Sequence, residues 1–138
     1  MTGGDRRLEA GPAPRAAPYP GELAVGLGLR PDPSAERILA VLAEVFPGQP
    51  IACLAALDSR AGEPGLREAA AVLGVPLYGY SVERLARVPV PNPSERVAAA
   101  LGIPGVAEAA ALLAGTGPLL VPRQVVGGVV VAATAARG

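Results

Sequence analysis

The sequence predicts an α/β fold: a single three-layer α/β/α domain with helices on both faces of a largely parallel but mixed, five-stranded sheet. Three observations support this prediction. The 138 residues suffice for one hydrophobic core. Apolar runs alternate with segments of helical periodicity as far as residue 80, which is typical of parallel strands joined by right-handed crossovers. Two apolar runs near the end of the chain supply the remaining strands and make the sheet mixed.

The domain is predicted to occupy residues 22–138. Residues 1–21 are rich in Gly, Pro and Ala and lack the apolar stretch of a secretory signal, so we expect a flexible tail. Aromatic residues make up only 3% of the chain. The core must therefore be built from Leu, Val and Ala, and such packing relies on a close approach of the helices.

The first elements follow from hydrophobic patterning. The run ELAVGLGL, residues 22–29, is apolar throughout, as expected of a strand that is covered on both faces. Apolar residues then recur at helical spacing over 34–46, and Pro47-Gly48 stops the pattern. The run IACLAAL, residues 51–57, predicts the second strand.

The middle of the chain predicts a polar loop, DSRAGEPG, and then a helix from Leu66 that ends at Gly74, a common C-terminal cap. The run VPLYGY predicts a short third strand. A brief helix over VERLARV follows, and Ser81 is its expected cap.

The last third of the chain predicts helices over 92–101 and 105–114, and then two strands, PLLV and VVGGVVVAA. The turn between these strands is left open. It lies either at residues 122–124 or at Gly127-Gly128, and these glycines are otherwise interpreted as a bulge.

Composition argues against several classes of function. Twelve Arg, with no Lys, balance twelve Asp and Glu, so no positive field favours nucleic acid. His is absent, which removes the commonest metal ligand, and we expect neither a metal site nor a cofactor. The lone Cys53 is interpreted as a small buried hydrophobe. Without disulfides or a membrane-spanning run, the protein is expected in the cytoplasm.

The phrases RPDPSAE and VPNPSER repeat a Pro-Asx-Pro-Ser core. Asp32 and Asn92 can cap a helix, with the following Pro at its first position, and Glu95 adds a capping-box partner to Asn92. Open helix starts that carry Ser34 and Ser94 could equally hold a carboxylate or a phosphate. The first copy directly follows the first strand, where ligands of open α/β sheets gather.

Gly26, Gly28 and Arg30 lie at the end of the first strand. The glycines either allow close packing or let a ligand approach the backbone, with Arg30 offering a fork to its carboxylates. A dinucleotide fingerprint would need a third Gly, which is missing, so a nucleotide-binding regulator is a remote alternative.

Two further segments carry charges near the start of a helix. One is the loop LDSRAGEPGL, and the other is the helix that starts at Gly105 and contains Glu108. Asp58, Arg60 and Glu63 are either solvated charges or a site in which Arg60 binds an acid and one carboxylate activates water. Glu108 is interpreted as a first-turn charge favoured by the helix dipole rather than as a catalyst.

Read in order, GLGLR, Ser34, LDSRAGEPGL, VPNPSERV, LGIPGVAEAAALL and LLVPR make this sequence similar to the family of CobE and the C-terminal domain of CbiG, which act in cobalamin biosynthesis. The similarity covers about residues 22–133. The chain departs from the family pattern at Leu29, where Cys is usual, and at Val130, where Thr is frequent. Arg60 and Arg123 stand where Lys is common. Gly105 stands where Ser is common.

The resemblance implies a protein that binds a precorrin or corrinoid intermediate through its carboxylates, in a cleft at the strand ends. CbiG opens the δ-lactone of cobalt-precorrin 5A with release of acetaldehyde, and Glu63 or Asp58 would activate water for such a step. Any cobalt would arrive with the corrinoid. The expected substrate-binding residues are Gly26, Gly28, Arg30, Ser34, Arg60, Asn92, Ser94, Gly105 and Arg123.

A role without catalysis is the alternative. The chain would then be an interaction module or carrier that hands intermediates between corrin-pathway methyltransferases, for which Ala-rich helices offer surface. The sequence leaves the oligomeric state and the particular precorrin open.

Overall fold

The computed structural model describes residues 19–89 and 105–136. Strands alternate with helical segments as far as residue 80, as the sequence predicts. In chain order the elements are β1 (Leu23–Gly28), α1 (Ala35–Val45), β2 (Ile51–Leu57), α2 (Asp58–Ala61), α3 (Pro64–Leu73), β3 (Leu77–Tyr80), α4 (Val82–Ala86), α5 (Val106–Ala114), β4 (Thr116–Val126) and β5 (Val129–Ala135).

The five strands form one sheet in the order β3-β2-β1-β5-β4. β1 pairs in parallel with β2, and β2 with β3, whereas β5 is antiparallel to both β1 and β4. β4 consequently runs in the same direction as the first three strands. Four strands share one direction and one opposes them, which confirms the predicted mixed, largely parallel sheet.

Alternate side chains of β1 enter two different cores. Leu23, Val25 and Leu27 pack with residues of α1 and α3 on one face, and Ala24 packs with α4 and α5 on the other. All four are fully buried. Because both faces of the central strand are covered, its sequence is continuously apolar. The three-layer prediction is confirmed.

α5 lies unusually close to the sheet. An ideal Cβ on Gly26 would clash with the carbonyl oxygen of Ala107 and lie 2.6 Å from the amide nitrogen of Ala111. The hydroxyl of Thr134 in β5 donates a hydrogen bond to the Ala111 carbonyl at 2.8 Å. Small residues on both elements allow this contact. Such close packing is what the sequence predicts for a core with few aromatic residues.

The turn left open between the last two strands lies at Gly127-Gly128, both with positive φ. β4 therefore continues through Pro122, which is tolerated because β4 is an edge strand and its pairing to β5 is irregular on both sides of Val121. The loop DSRAGEPG is not entirely irregular. Its first residues form the short helix α2.

Capping of α1 corrects one expectation. Ser34, not Asp32, is the N-cap residue, and its Oγ accepts the Arg37 N–H at 3.2 Å. The second Pro-Asx-Pro-Ser phrase, with Asn92, Ser94 and the helix predicted over 92–101, lies outside the described residues.

Two residues before the predicted domain boundary are hydrogen-bonded to the domain. Tyr19 and Gly21, which the sequence assigned to the tail, are bound to the domain by the buried Gln49, whose Nε2 donates to the Gly21 carbonyl at 2.8 Å. Residues 1–18 of the predicted tail lie outside the described residues. In the described part of the chain, no helix has the length and apolar character needed to cross a bilayer.

Candidate functional site

The candidate site is the rim of the sheet at which β1 and β2 end. The loop of residues 29–34 leaves β1 there and leads into α1, and α2 and α3 follow directly after β2. α5 begins at the same level, since an ideal Cβ on Gly28 would lie 4.0 Å from the Ala107 amide nitrogen. Ligands of open α/β sheets bind at this rim.

Hydrogen bonds join the loop after β1 to the segment after β2. The Nε of Arg60 donates to the Leu29 carbonyl at 3.0 Å, and the Asp32 N–H donates to Glu63 Oε2 at 3.2 Å. The Arg60 Nη1 lies 3.5 Å from the same Glu63 oxygen. We call this arrangement of Arg60 and Glu63 around residues 29–32 the rim clasp. It joins the backbone of the loop after β1 to two charged side chains of the segment after β2.

Backbone packing reinforces the clasp. The carbonyl of Pro33 occupies the space beside Gly65, where an ideal Cβ would clash with it, and the Ala35 amide nitrogen would be 3.3 Å away. Only glycine permits this approach of the two segments.

The clasp surrounds a backbone conformation that L-residues seldom adopt. Within the described ranges, Asp32 is the one non-glycine residue with a positive φ, 57°. Aspartate tolerates this left-handed region better than most residues, but it is a cost that the surroundings must offset. The charge-assisted hydrogen bond from Asp32 N–H to Glu63 supplies part of that stabilisation.

Arg30 lies inside the clasped loop. Its side chain is exposed, and its guanidinium makes no hydrogen bond or ion pair with any residue that the structure describes. The Arg60 side chain, in contrast, is about four-fifths buried, and its guanidinium contacts Glu63 and the Leu29 carbonyl. Of the two arginines, Arg30 is the one available to a ligand.

The predicted carboxylates occupy different environments. Asp58 is exposed at the first position of α2. The Glu63 side chain is as buried as that of Arg60, and its Oε2 already accepts the Asp32 N–H beside Arg60. If one of the two were to activate water, Asp58 is the accessible carboxylate and Glu63 is already engaged.

Ser34 borders a separate, open hollow of about 410 Å³ between α1 and the β4–β5 turn. Arg37 lies across it, with its Nη1 3.4 Å from the Gly127 carbonyl, and Glu36 and Glu44 complete its charged lining. Neither Arg30 nor Arg60 lines this hollow. Ser34 thus borders this hollow without Arg30 and Arg60, although all three residues lie at the same rim, and Ser94 lies outside the described residues.

On the opposite face of the sheet, Gly105 precedes α5 in a left-handed conformation, φ 60°. Glu108, in the first turn of α5, is completely buried, and its Oε2 accepts the Arg123 N–H of β4 at 3.3 Å. The sequence identified its place in the first turn but missed its burial. The signal was available, because α5 is apolar around its whole circumference, as in a helix enclosed by protein.

The glycines of β1 belong to the packing. Gly26 is buried beneath α5, and an ideal Cβ on Gly28 would lie 3.3 Å from the Cβ of Val130. The space beside Gly26 is filled by helix backbone. The ligand-approach role predicted for Gly26 is therefore not retained, and close packing explains this residue.

Cys53 fits its predicted role as a buried hydrophobe. Its side chain is 5% exposed, and desolvation raises the pKa of the thiol above its usual value. Among residues 19–89 and 105–136, no group of three or more His, Cys, Asp or Glu side chains could hold a metal ion.

Comparisons with known proteins agree with this architecture. Residues 23–134 match the family described as "Cobalamin synthesis G C-terminus". A curated relative, Protein CobE of Sinorhizobium sp., is 37% identical over 113 residues, which cover 75% of this chain and 73% of the relative.

Solved structures extend the comparison. The crystal structure of CobE, a protein from the cobalamin (vitamin B12) biosynthetic pathway, superposes with a TM-score of 0.71 at 31% identity, covering 84% of this chain and 91% of the other. The cobalamin biosynthesis protein chiG from Agrobacterium tumefaciens str. C58 gives a TM-score of 0.60 at 33% identity, covering 84% and 99% of the two chains. The chain therefore belongs to the cobalamin synthesis G C-terminus family of cobalamin biosynthesis proteins.

Proposed function

We propose that this chain binds a precorrin or a related corrinoid intermediate through the carboxylates of the macrocycle, at the rim where β1 and β2 end. The observation that supports this proposal best is the exposed Arg30 guanidinium at that rim, which has no partner in the described part of the chain. Guanidinium groups bind carboxylates in a bidentate fork, and corrinoids carry many acetate and propionate groups.

The local charges make the expected binding selective rather than generally electrostatic. Asp32 is exposed on the same loop as Arg30, and Asp58 is exposed at the start of α2. Both carboxylates repel a polyanionic ring, and a direct contact between one of its acid groups and Arg30 is needed to offset that repulsion. Affinity should therefore depend on that single contact more than on the net charge of zero.

A titration with cobyrinic acid, followed by absorbance and by calorimetry, tests the proposal. The fully methylated ester, which presents the same ring without free carboxylates, is the matched control ligand. We expect the acid to bind and the ester to bind at least about 10-fold more weakly, since charge-assisted hydrogen bonds are lost. Equal affinity for both ligands, or no binding of the acid, would contradict the proposal.

Variants locate the contact. Arg30→Ala is expected to weaken cobyrinic acid binding by about 10-fold or more, with little effect on the ester. Arg87→Ala is the matched control, because Arg87 is also exposed but lies at the C-terminal end of α4. Equal losses in the two variants would mean that only the total charge matters.

Opening of the δ-lactone of cobalt-precorrin 5A is the finer form of the proposal. The structure favours Asp58 over Glu63 as the base that activates water, because Asp58 is exposed at the rim and Glu63 is already engaged. Release of acetaldehyde from cobalt-precorrin 5A is the readout, and Asp58→Asn is expected to abolish it. Binding without acetaldehyde would instead support a cytoplasmic carrier that passes intermediates to the corrin-pathway methyltransferases.

A further inference from the structure

We propose that Glu63 is a positioning residue of this site: it holds residues 29–32 in the conformation that presents Arg30 to the ligand. The inference rests on the proposed function, since the ligand carboxylate is what Arg30 would meet. It reassigns Glu63 from the catalytic role that the sequence suggested. Glu63 then acts through Arg30 and touches no substrate itself.

The first step of the argument is that one carboxylate oxygen serves both parts of the clasp. Glu63 Oε2 accepts the Asp32 N–H at 3.2 Å and lies 3.5 Å from Arg60 Nη1. That guanidinium is oriented in turn by its second bond, from Nε to the Leu29 carbonyl at 3.0 Å. Glu63 therefore fixes residue 32 directly and residue 29 through Arg60.

The second step is that these anchors lie on both sides of Arg30. The Leu29 carbonyl belongs to the peptide group immediately before Arg30, and the Asp32 N–H belongs to the peptide group two residues later. Between them the chain carries only Arg30 and Pro31, whose φ is restricted by its ring. The direction in which the Arg30 side chain leaves the backbone is thus set by the clasp.

The third step concerns the left-handed Asp32. A positive φ at a non-glycine residue persists only where neighbouring contacts impose it, and the Asp32 N–H is the group that Glu63 binds. Removal of the Glu63 carboxylate should let Asp32 relax toward negative φ. The loop would then redirect Arg30 away from its bound orientation, although Arg30 itself is unchanged.

The variants Glu63→Ala and Glu63→Gln separate positioning from charge. Gln retains an oxygen that can accept the Asp32 N–H, whereas Ala retains none. We expect Glu63→Ala to weaken cobyrinic acid binding by about 10-fold and Glu63→Gln to remain within about 3-fold of the wild type. Glu68→Ala, which removes an exposed carboxylate from the same helix α3, is the control and should change nothing.

A double-mutant cycle shows whether Glu63 acts through Arg30. In the Arg30→Ala background, Glu63→Ala should cause little further loss, because there is no guanidinium left to position. Losses that multiply in the double variant, or an equal loss in Glu63→Gln and Glu63→Ala, would overturn the proposal. Urea unfolding of each variant identifies any effect that comes from loss of the fold.

Hydrogen exchange gives a readout that does not need the ligand. The Asp32 amide, whose hydrogen Glu63 accepts, should exchange faster in Glu63→Ala than in the wild type and stay protected in Glu63→Gln. If the wild-type protein fails to bind cobyrinic acid, the proposed function fails, while the exchange data still decide whether Glu63 holds the loop. Unchanged exchange in Glu63→Ala would refute the positioning role even if binding is observed.

Discussion

The carbonyl of Pro33 fills the space in which a side chain at Gly65 would stand. This contact locks the loop after β1 against the first turn of α3, next to the hydrogen bond between Asp32 and Glu63. The two segments that carry the charged rim residues therefore behave as one unit, held by backbone packing as well as by polar contacts.

Gly65→Ala should consequently destabilise the protein by about 1–3 kcal/mol, the usual cost of overpacking, because the obstructing atom is backbone and cannot rotate away. Urea unfolding gives the free energy of unfolding, and hydrogen exchange shows whether the loop after β1 loosens.

Gly62→Ala is the matched control. Gly62 has an ordinary φ of −81° and nothing within 4 Å of an ideal Cβ, so this variant should be neutral or slightly stabilising. Similar stabilities for the two variants would contradict the packing argument.

The polar contacts of this unit could not be read from the sequence. Hydrophobic periodicity predicted the strands and the helices, because burial on one or both faces leaves a repeating pattern over several residues. The bond between Asp32 and Glu63 joins positions 31 residues apart and leaves no pattern of that kind. Each residue alone resembles a solvated loop charge.

Other differences have equally local causes. Asp32 and Ser34 are both good capping residues. Ser34 has the extended backbone of an N-cap residue, whereas Asp32 is left-handed, so Ser34 caps α1. The last hairpin turned at Gly127-Gly128 rather than at Pro122, because positive φ at both turn residues suits two glycines. The N-cap residue of α1 and the position of the last turn depend on local backbone conformation, which hydrophobic patterning does not specify.

Gly26→Ala is expected to destabilise the protein by about 1–3 kcal/mol by forcing α5 away from β1. The Ala107 carbonyl stands in the way of the added carbon, and it is fixed by the helix. Gly28→Ala should cost less, because its nearest neighbour is a side-chain carbon of Val130 at 3.3 Å. Thermal or urea unfolding measures both. A stable Gly26→Ala variant that has lost ligand binding alone would restore the ligand-approach role.

Thr134→Val should cost about 0.5–1.5 kcal/mol, the usual net worth of a buried hydrogen bond. The Thr134 hydroxyl donates to the Ala111 carbonyl at 2.8 Å, and valine has nearly the same shape without the donor. The cost stays moderate because the same carbonyl also accepts the Gly115 N–H at 2.9 Å. Thr116→Val, at an exposed position of β4, is the control and should leave the free energy of unfolding unchanged. Equal effects at both positions would mean that the buried bond contributes nothing.

Cys53 should make stability depend on pH in the alkaline range. Burial raises the pKa of its thiol in the folded state, so above the thiol's ordinary pKa of about 8.5 the unfolded chain loses this proton while the folded protein keeps it. The unfolded state then binds fewer protons, and the free energy of unfolding falls as pH rises. Below that pH the contribution is fully present. Urea unfolding from pH 7 to 10 should therefore show a steeper decline in the free energy of unfolding for the wild type than for Cys53→Ala, which lacks the thiol. Parallel pH profiles for the two proteins would show that the thiol has the same pKa in both states and is not buried as the structure describes.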